Sequence, residues 1–435
     1  MSFIHPFSQE GTSSELELFK IPLTITAIDS ERYFHYKPVA ALTSSSWIEF
    51  RVAGTDEFPD LSTMLLELEI SILKSDGTAL PSAVSTTSTP NLYENIVPSN
   101  NFMSCLFQQV DLYLNNTLVT GATNLYHYRA FLDNLFYQSK ESKSTYMYSY
   151  LWDTDDSKRK DRIKKVYTGK SLKLIGPLHL DLAQQERLML SMVDMNLRLN
   201  LADSSYCFKV DATTPDRPKF MITNATLHLQ KKKLFPDCEA GILNALSYET
   251  AKYIFTHTQL RHRVIDSGST QFFFDNIFPS TLPRRFICGI LPAKAFNGDF
   301  LSDTFEFKSN GLIEVKAYID SVQCPVPALE LDTDEDDFSR AYLSFYNAMY
   351  SMHPESNLTI TPQQFKEKFC FFAWTLSPEN DLENSDSIGL IRRGHARLDF
   401  RFKNATTEHL VAIIYSHFPQ VLHIDSNHEC HLESV

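Results

Sequence analysis

Val110-Asp111-Leu112-Tyr113-Leu114-Asn115 is followed by Arg129-Ala130-Phe131-Leu132, and the same order of residue types returns as Val315-Lys316-Ala317-Tyr318-Ile319-Asp320 followed by Arg340-Ala341-Tyr342-Leu343. In each copy an alternating apolar and polar run reads as a half-buried strand, a turn closes it, and a helix candidate comes next. Tyr113 precedes Arg129 by 16 positions and Tyr318 precedes Arg340 by 22, a difference that a connection six residues longer accounts for. Past each helix the order continues with a strand near His179 or Phe372, then an alternating strand from Val193 or Ala396. The repeat predicts one β-sandwich plan used twice.

Around these copies, strand periodicity dominates. Ile48, Phe50 and Val52 alternate with Glu49 and Arg51, and Leu66, Leu68, Ile70 and Ile72 alternate with Glu67, Glu69 and Ser71 ahead of an Asp76-Gly77 turn. Residues 193–201, 221–229, 313–319, 396–402 and 410–416 repeat the pattern. Segments of this kind, joined by long polar connections, predict antiparallel sandwiches or jelly rolls rather than a wound parallel sheet, with helices few and short. Helices are expected at 128–136 and at 338–349, the second after the acidic run 332–337, whose charge suits a helix N-terminus. Residues 81–90 and 138–145 read as exposed loops, and 233–248 as the connection between halves. The expected division is an arm at 1–40, β domains at 41–238 and 239–425, and a tail at 426–435.

The composition agrees. Of 435 residues 43% are apolar and 21% charged, ordinary values for a folded chain, and 32 Phe and 19 Tyr against 13 Gly suit strand interiors. The length fits two large β domains. The formal charge of −13 excludes a protein whose main task is gripping phosphate backbones, so any nucleic-acid contact is expected to be local. The longest apolar runs, 286–291 and 410–415, are far too short to span a bilayer, and the opening residues lack the basic and apolar regions of a secretory signal. Seven cysteines without a Cys-x-x-Cys pair predict free thiols, and the sequons at Asn115, Asn224, Asn357 and Asn404 then read as incidental.

Candidate chemistry is sparse. None of the 14 histidines has another two positions away, so the His-x-His pair of a metal-dependent cupin is missing. His423, His428, Cys430 and His431 are plausible ligand types, but their place near the end of the sequence favours a solvated tail. His428-Glu429 begins like a zincin motif, yet Leu432 stands where the second histidine belongs. Gly169-Lys170-Ser171 resembles the end of a phosphate loop, but Lys164 replaces its first glycine. Asp266-Ser267-Gly268 reads as a loop, because nothing in the sequence fixes a partner base. The basic run 158–165 is either a nuclear-import or local nucleic-acid segment or, the favoured reading, a solvated loop balancing Asp153, Asp155 and Asp156. Lys231-Lys232-Lys233 at a strand end suits protection of a sheet edge. No catalytic, cofactor-binding or metal-binding residue is assigned.

Taken in order, the residues resemble the double jelly-roll major capsid proteins of Polinton/Maverick elements and adintovirus-like DNA viruses, within the wider adenovirus-type capsid lineage. The resemblance is carried by Glu15-Leu16-Glu17-Leu18-Phe19, Tyr36-Lys37-Pro38, Trp47-Ile48-Glu49-Phe50, Asp60-Leu61-Ser62, and the run from Leu106 through Asn115. It continues through Tyr128-Arg129-Ala130-Phe131-Leu132, His179-Leu180-Asp181 with Gln185 and Arg187, Ala295-Phe296-Asn297-Gly298, and Arg340-Ala341-Tyr342-Leu343, covering roughly residues 15–425. The expected Asn-Gly turn is Asn115-Asn116 here, which still tolerates positive φ.

The resemblance implies an all-β fold of two consecutive eight-stranded antiparallel jelly rolls with short helices in the connections, in a non-enzymatic shell protein of a double-stranded DNA virus or virus-like element. It implies homotrimers as six-lobed, pseudo-hexameric capsomers that tile an icosahedral shell. Implied partners are other copies of the chain, neighbouring capsomers, a pentameric vertex protein and minor capsid proteins, with no cofactor and no membrane span. The implied location is the virion capsid, after synthesis in the host cytoplasm, with nuclear assembly as an open alternative. The alternatives are a two-domain β-sandwich that binds glycans or hydrolyses an ester, and a capsid fold retained as a host-genome copy.

Overall fold

The computed structural model describes residues 5–434 apart from positions 10, 12, 20, 22, 43–45, 80–95, 154–158, 167–170, 213, 215, 353–355 and 378–389. The first half contributes β1 (Ile28–Tyr36), β2 (Trp47–Val52), β3 (Phe58–Leu73), β4 (Ile96–Pro98), β5 (Phe107–Leu114), β6 (Thr117–Leu118), β7 (Leu172–Pro177), β8 (Met195–Leu201), β9 (Phe208–Val210) and β10 (Lys219–Leu234). The second contributes β11 (Ala251–Ile265), β12 (Gln271–Phe274), β13 (Thr281–Leu282), β14 (Arg285–Pro292), β15 (Leu312–Ile319), β16 (Val322–Glu330), β17 (Phe371–Thr375), β18 (Arg392–Arg393), β19 (Ala396–Phe402), β20 (Leu410–Ile424) and β21 (Cys430–Ser434). Short helices join them: α1 (Phe102–Cys105), α2 (Tyr126–Tyr137), α3 (Lys140–Ser144), α4 (Arg159–Val166), α5 (Ser204–Cys207), α6 (Pro236–Leu246), α7 (Ala293–Phe296), α8 (Ser339–Ala348) and α9 (Pro362–Glu367).

The duplication is plain in the pairing. One sheet of the first half runs β1-β10-β3-β7 and the other β2-β8-β5-β6; the second half repeats them as β11-β20-β14-β17 and β12-β19-β15-β16, all antiparallel. The fold is therefore all-β, two jelly rolls in succession. Alternation drives each strand: Leu66, Leu68 and Ile70 of β3 are buried while Leu65, Glu67 and Glu69 point outward. Val110, Leu112 and Leu114 of β5 lie opposite Leu199, Leu197 and Met195 of β8, so both strands bury the same face. The two matched turns also agree. Asn115-Asn116 and Asp320-Ser321 both carry positive φ at both positions, the mirror-image turn that suits the twist of a two-residue hairpin. Helices α2 and α8 follow at the expected places.

Several expectations need correction. Residues 138–145 are not a loop but contain α3, capped by Ser139, whose hydroxyl accepts the Ser142 N–H at 3.1 Å. From Arg159 onward the basic run is helix α4 rather than a loop, and Arg162 is buried against Asp153 at 3.4 Å. Lys231 to Lys233 do not guard an edge, since β10 has β1 on one side and β3 on the other. Lys231 instead donates to Thr55 Oγ1 at 3.0 Å and Lys232 pairs with Asp60 at 2.8 Å. The acidic run 332–337 folds as its own turn ahead of α8, where Lys403 and Lys366 neutralise Asp332 and Asp336. Strand β1 lies within the expected arm, and β21, in the expected tail, pairs with β20. Residues 81–90, Asp155, Asp156, Lys158 and Gly169-Lys170 lie outside the described residues.

Candidate functional site

Helix α2 carries the junction between the two jelly rolls. Its sequence, Tyr-His-Tyr-Arg-Ala-Phe-Leu-Asp-Asn-Leu-Phe-Tyr, has no polar face, and every residue but Tyr137 is buried. A helix of that kind must be enclosed on all sides. Its own half supplies one side, with Trp152 against Phe131 and Tyr206 against His127, and the second jelly roll supplies the other: Phe131 stacks on Phe305 with centroids 4.1 Å apart, Tyr128 meets Phe296, Phe305 and Phe307, and Phe136 meets Phe371 and Tyr415 edge-on.

Charges inside this apolar junction are paired with one another, Arg129 Nε and Asp133 Oδ2 through ion pairs rather than hydrogen bonds. Arg129 reaches Asp181 at 2.5 Å and Asp133, one helical turn on, at 3.5 Å. Asp181 also accepts the Thr258 N–H at 3.1 Å and lies 2.8 Å from His257 Nδ1, both on β11. Asp133 accepts from the Tyr415 hydroxyl on β20 at 2.5 Å and lies 3.4 Å from His179. Because Tyr415 spends its single proton on Asp133, its oxygen accepts from His417 Nε2 at 2.9 Å, which fixes the proton of that ring on Nε2. Burial would raise the Asp133 carboxyl, but His179 and the Arg129 charge more than offset it and hold it at about 2. Burial would raise Asp181 too, and Arg129 and His257 bring it below the ordinary carboxylate range. Burial pushes His417 down to about 3, reinforced by the Arg285 charge.

Peripheral bonds extend the junction. The Val210 N–H donates to Phe300 O at 2.6 Å, Tyr253 donates to Leu188 O at 3.1 Å, Arg187 to Lys252 O at 2.7 Å and Asn115 Nδ2 to His428 O at 2.6 Å. Lys143, 2% exposed, donates to Leu135 O at 2.8 Å and to Asn357 O at 3.0 Å, and burial lowers its ammonium to about 8. This arrangement holds two bodies in one orientation, with the acceptors of its two carboxylates turned toward protein donors.

Elsewhere the structure separates the sequence candidates. In the β20–β21 hairpin, ligand atoms of Asp425, Glu429 and His431 lie within 4.8 Å of one another, a donor set of the type that takes a divalent cation. His423 turns instead to Glu433 at 3.0 Å and Cys430 is buried, so the four residues singled out in the sequence do not converge. Asp425 already accepts the N–H groups of Asn427 and Glu429 and closes the hairpin turn. His409 does lie beside Asp266, at 3.5 Å, but its Nδ1 meets the backbone N–H of Ser267 at 3.4 Å rather than the hydroxyl. A cleft of about 570 Å³ at the end of the second jelly roll is lined by Asp275, Tyr318, Arg397 and Asp399. There the Arg397 guanidinium lies over the Phe273 and Tyr318 rings and pairs with Asp399, so those aromatic faces already have an occupant. Sequence reading missed Asp133, His257, Tyr415 and His417; the one signal for the site was Arg129 and Asp133 four apart on an otherwise uncharged helix.

Among the described residues no helix is long and apolar enough to cross a membrane. The segment ahead of β1 is apolar in another way: Phe7, Leu16, Leu18, Ile21 and Ile25 stand exposed, and Phe19 and Leu23 are 98% exposed. Single exposed apolar residues are ordinary, whereas a run of seven along one extended segment marks a contact surface.

No family model matches the chain. An uncharacterized protein of Caenorhabditis elegans, F54H12.2, is 23% identical over 342 residues, which cover 75% of this chain and 80% of that protein. Among solved structures, the quasi-atomic PBCV-1 virus capsid is similar with a TM-score of 0.62 at 10% identity, over 96% of this chain and 99% of that one. The mavirus major capsid protein is similar with a TM-score of 0.55 at 10% identity, over 100% and 95% of the two chains. The structural likeness spans both halves and shows the fold, the double jelly roll of viral major capsid proteins.

Proposed function

We propose that the chain is the major capsid protein of a double-stranded DNA virus or virus-like element, related to the Polinton/Maverick and adintovirus-like group. In this reading three copies form a pseudo-hexameric capsomer, and capsomers tile an icosahedral shell with a vertex protein and minor capsid proteins as partners. The observation that carries it is the rigid side-by-side pair of like jelly rolls in one chain. A threefold ring of such chains presents six similar lobes, so one protein can fill a hexagonal lattice position. The working division is an arm ahead of the first sheet, a first jelly roll to about residue 238, and a second beyond it, with α6 at the crossing. Light scattering and negative-stain microscopy of the purified chain test the reading. A particle of three chains with six lobes is expected, and a monomer across assembly conditions would overturn it.

The exposed apolar arm supports lateral assembly, because burying each large side chain on a neighbour contributes about 1.5–3 kcal/mol. Deleting residues 1–26 is expected to leave the melting temperature of the two-barrel body unchanged within about 2 °C and to abolish closed shells in micrographs. Shells at the full-length yield would show that the arm has no part in assembly.

A second reading has one observation in its favour. The Caenorhabditis elegans relative belongs to an animal, so the same fold could serve as a capsid gene retained in a host genome. Sequencing the flanking DNA separates the two: a packaging ATPase, a maturation protease and a vertex protein beside the gene indicate a virus or element.

A further inference from the structure

Two histidines outside the junction face each other across the first sheet. His35 of β1 and His228 of β10 stand directly opposite in the antiparallel pairing, as cross-strand neighbours must to touch. Their Nδ1 atoms lie 2.6 Å apart, and the rings meet edge-on with centroids 4.7 Å apart. On the next strand, β3, Glu67 lies 2.9 Å from the other nitrogen of His228, Nε2. Three adjoining strands thus line up a carboxylate and two imidazoles, turned away from the core that holds Leu227 and Leu229.

The proton positions follow from the partners. A carboxylate only accepts, so Glu67 holds the proton of the neutral His228 ring on Nε2 and leaves a lone pair at Nδ1. With no ion between the rings, His35 satisfies that lone pair with its own Nδ1–H. His35 is exposed, so its proton can stand on Nε2 instead, in water. Both Nδ1 lone pairs then converge on one point. A carboxylate on the ring nitrogen that does not ligate fixes the tautomer of a metal-bound histidine and raises its basicity. Neutral imidazole suits zinc, copper and nickel, whereas magnesium and calcium take oxygen. Ligand bonds of about 2.0–2.1 Å place two such nitrogens roughly 3 Å apart, a separation that a small rotation of the His35 ring supplies. Lys37, further along β1, donates to Asn224 Oδ1 at 3.1 Å and Thr226 Oγ1 at 2.6 Å, which directs that cation four and two positions along β10 from His228.

We infer that His35 and His228 bind one divalent transition-metal ion of the zinc and copper class through their Nδ1 atoms. Glu67 orients His228, and water completes the coordination. Binding moves the proton between the rings to His35 Nε2, so with both rings neutral no proton leaves the protein. The ion ties β1, the end strand of its sheet and the first strand after the apolar arm, to β10. The site lies within one chain and does not depend on the capsomer reading.

The test is calorimetric titration of zinc chloride into the untagged full-length chain at neutral pH, after removal of metal with a chelator. A step of one zinc per chain is expected. His35→Ala and His228→Ala are each expected to abolish that step, Glu67→Gln to weaken it about 10–100-fold, and His431→Ala, in the β20–β21 hairpin, to leave it unchanged. Zinc is expected to raise the melting temperature of the wild type and not that of His35→Ala. If His228→Ala loses its near-ultraviolet circular dichroism, His35→Ala, on the exposed side of the pair, decides. A wild type that binds no zinc, or a step that survives His35→Ala or disappears with His431→Ala, overturns the site. Wild-type affinity in Glu67→Gln overturns the role given to that carboxylate.

Discussion

Replacing Arg129 with alanine is expected to destabilise the folded chain by about 3–5 kcal/mol, because it removes the one cation shared by two buried carboxylates. Asp133 and Asp181 are both nearly inaccessible, and neither has water as a substitute partner when the guanidinium goes. Each would then face the choice between an unpaired buried charge and protonation. The remaining partners, Tyr415 and His179 for Asp133 and His257 with the Thr258 N–H for Asp181, do not replace the guanidinium that both carboxylates share. Urea denaturation at pH 7 measures the loss. Arg129→Met combined with Asp133→Asn and Asp181→Asn is expected to recover most of it, since an uncharged triad of similar volume carries no stranded charge. A single-variant loss below about 1 kcal/mol, the range of an exposed ion pair, would show that the junction does not depend on this group.

That junction also marks where the sequence stops being informative. Strand positions and the duplication are legible because alternation and turn chemistry are local: Asn115-Asn116 and Asp320-Ser321 declare their turns without reference to anything distant. The pair Arg129 and Asp133 is legible as an oddity on α2. Its partners are not, because Asp181 lies 52 positions away and Tyr415 lies 282 positions from Asp133, and what joins them is the docking of one barrel on another. The lysines at 231–233 were misread for the same reason, since whether a strand is at an edge depends on its neighbours. Helices α3 and α4 were read as loops because their composition is polar. Among their described side chains little is buried beyond Val166 and two long polar ones, Lys143 and Arg162, which reach carbonyls or a carboxylate supplied from elsewhere.

Acid is expected to weaken the protein well before its carboxylates titrate. His127, on α2, and His417, on β20, are both buried, and burial lowers each to about 3, against an ordinary value of 6.5. For a base whose folded value is depressed, the unfolded chain takes up the proton first. The contribution to stability is therefore complete above 6.5 and is lost as pH falls toward 3. One differential proton corresponds to about 1.4 kcal/mol per pH unit, so the two histidines together give a slope of about 3 kcal/mol per unit between pH 6 and 4. Asp133 pulls in the same direction only later, between its ordinary value near 3.8 and its folded value of about 2. Over two pH units the histidine effect reaches about 5 kcal/mol, comparable to the whole stability of many domains. Urea midpoints at pH 7, 6, 5 and 4 are expected to fall steadily from pH 6 downward with uptake of about two protons on unfolding, and His417→Gln is expected to halve the slope. A flat profile from pH 6 to 4 would mean that these rings find protons or partners in the folded chain, and the assignment of His417 as the neutral end of the Tyr415–Asp133 chain would go with it.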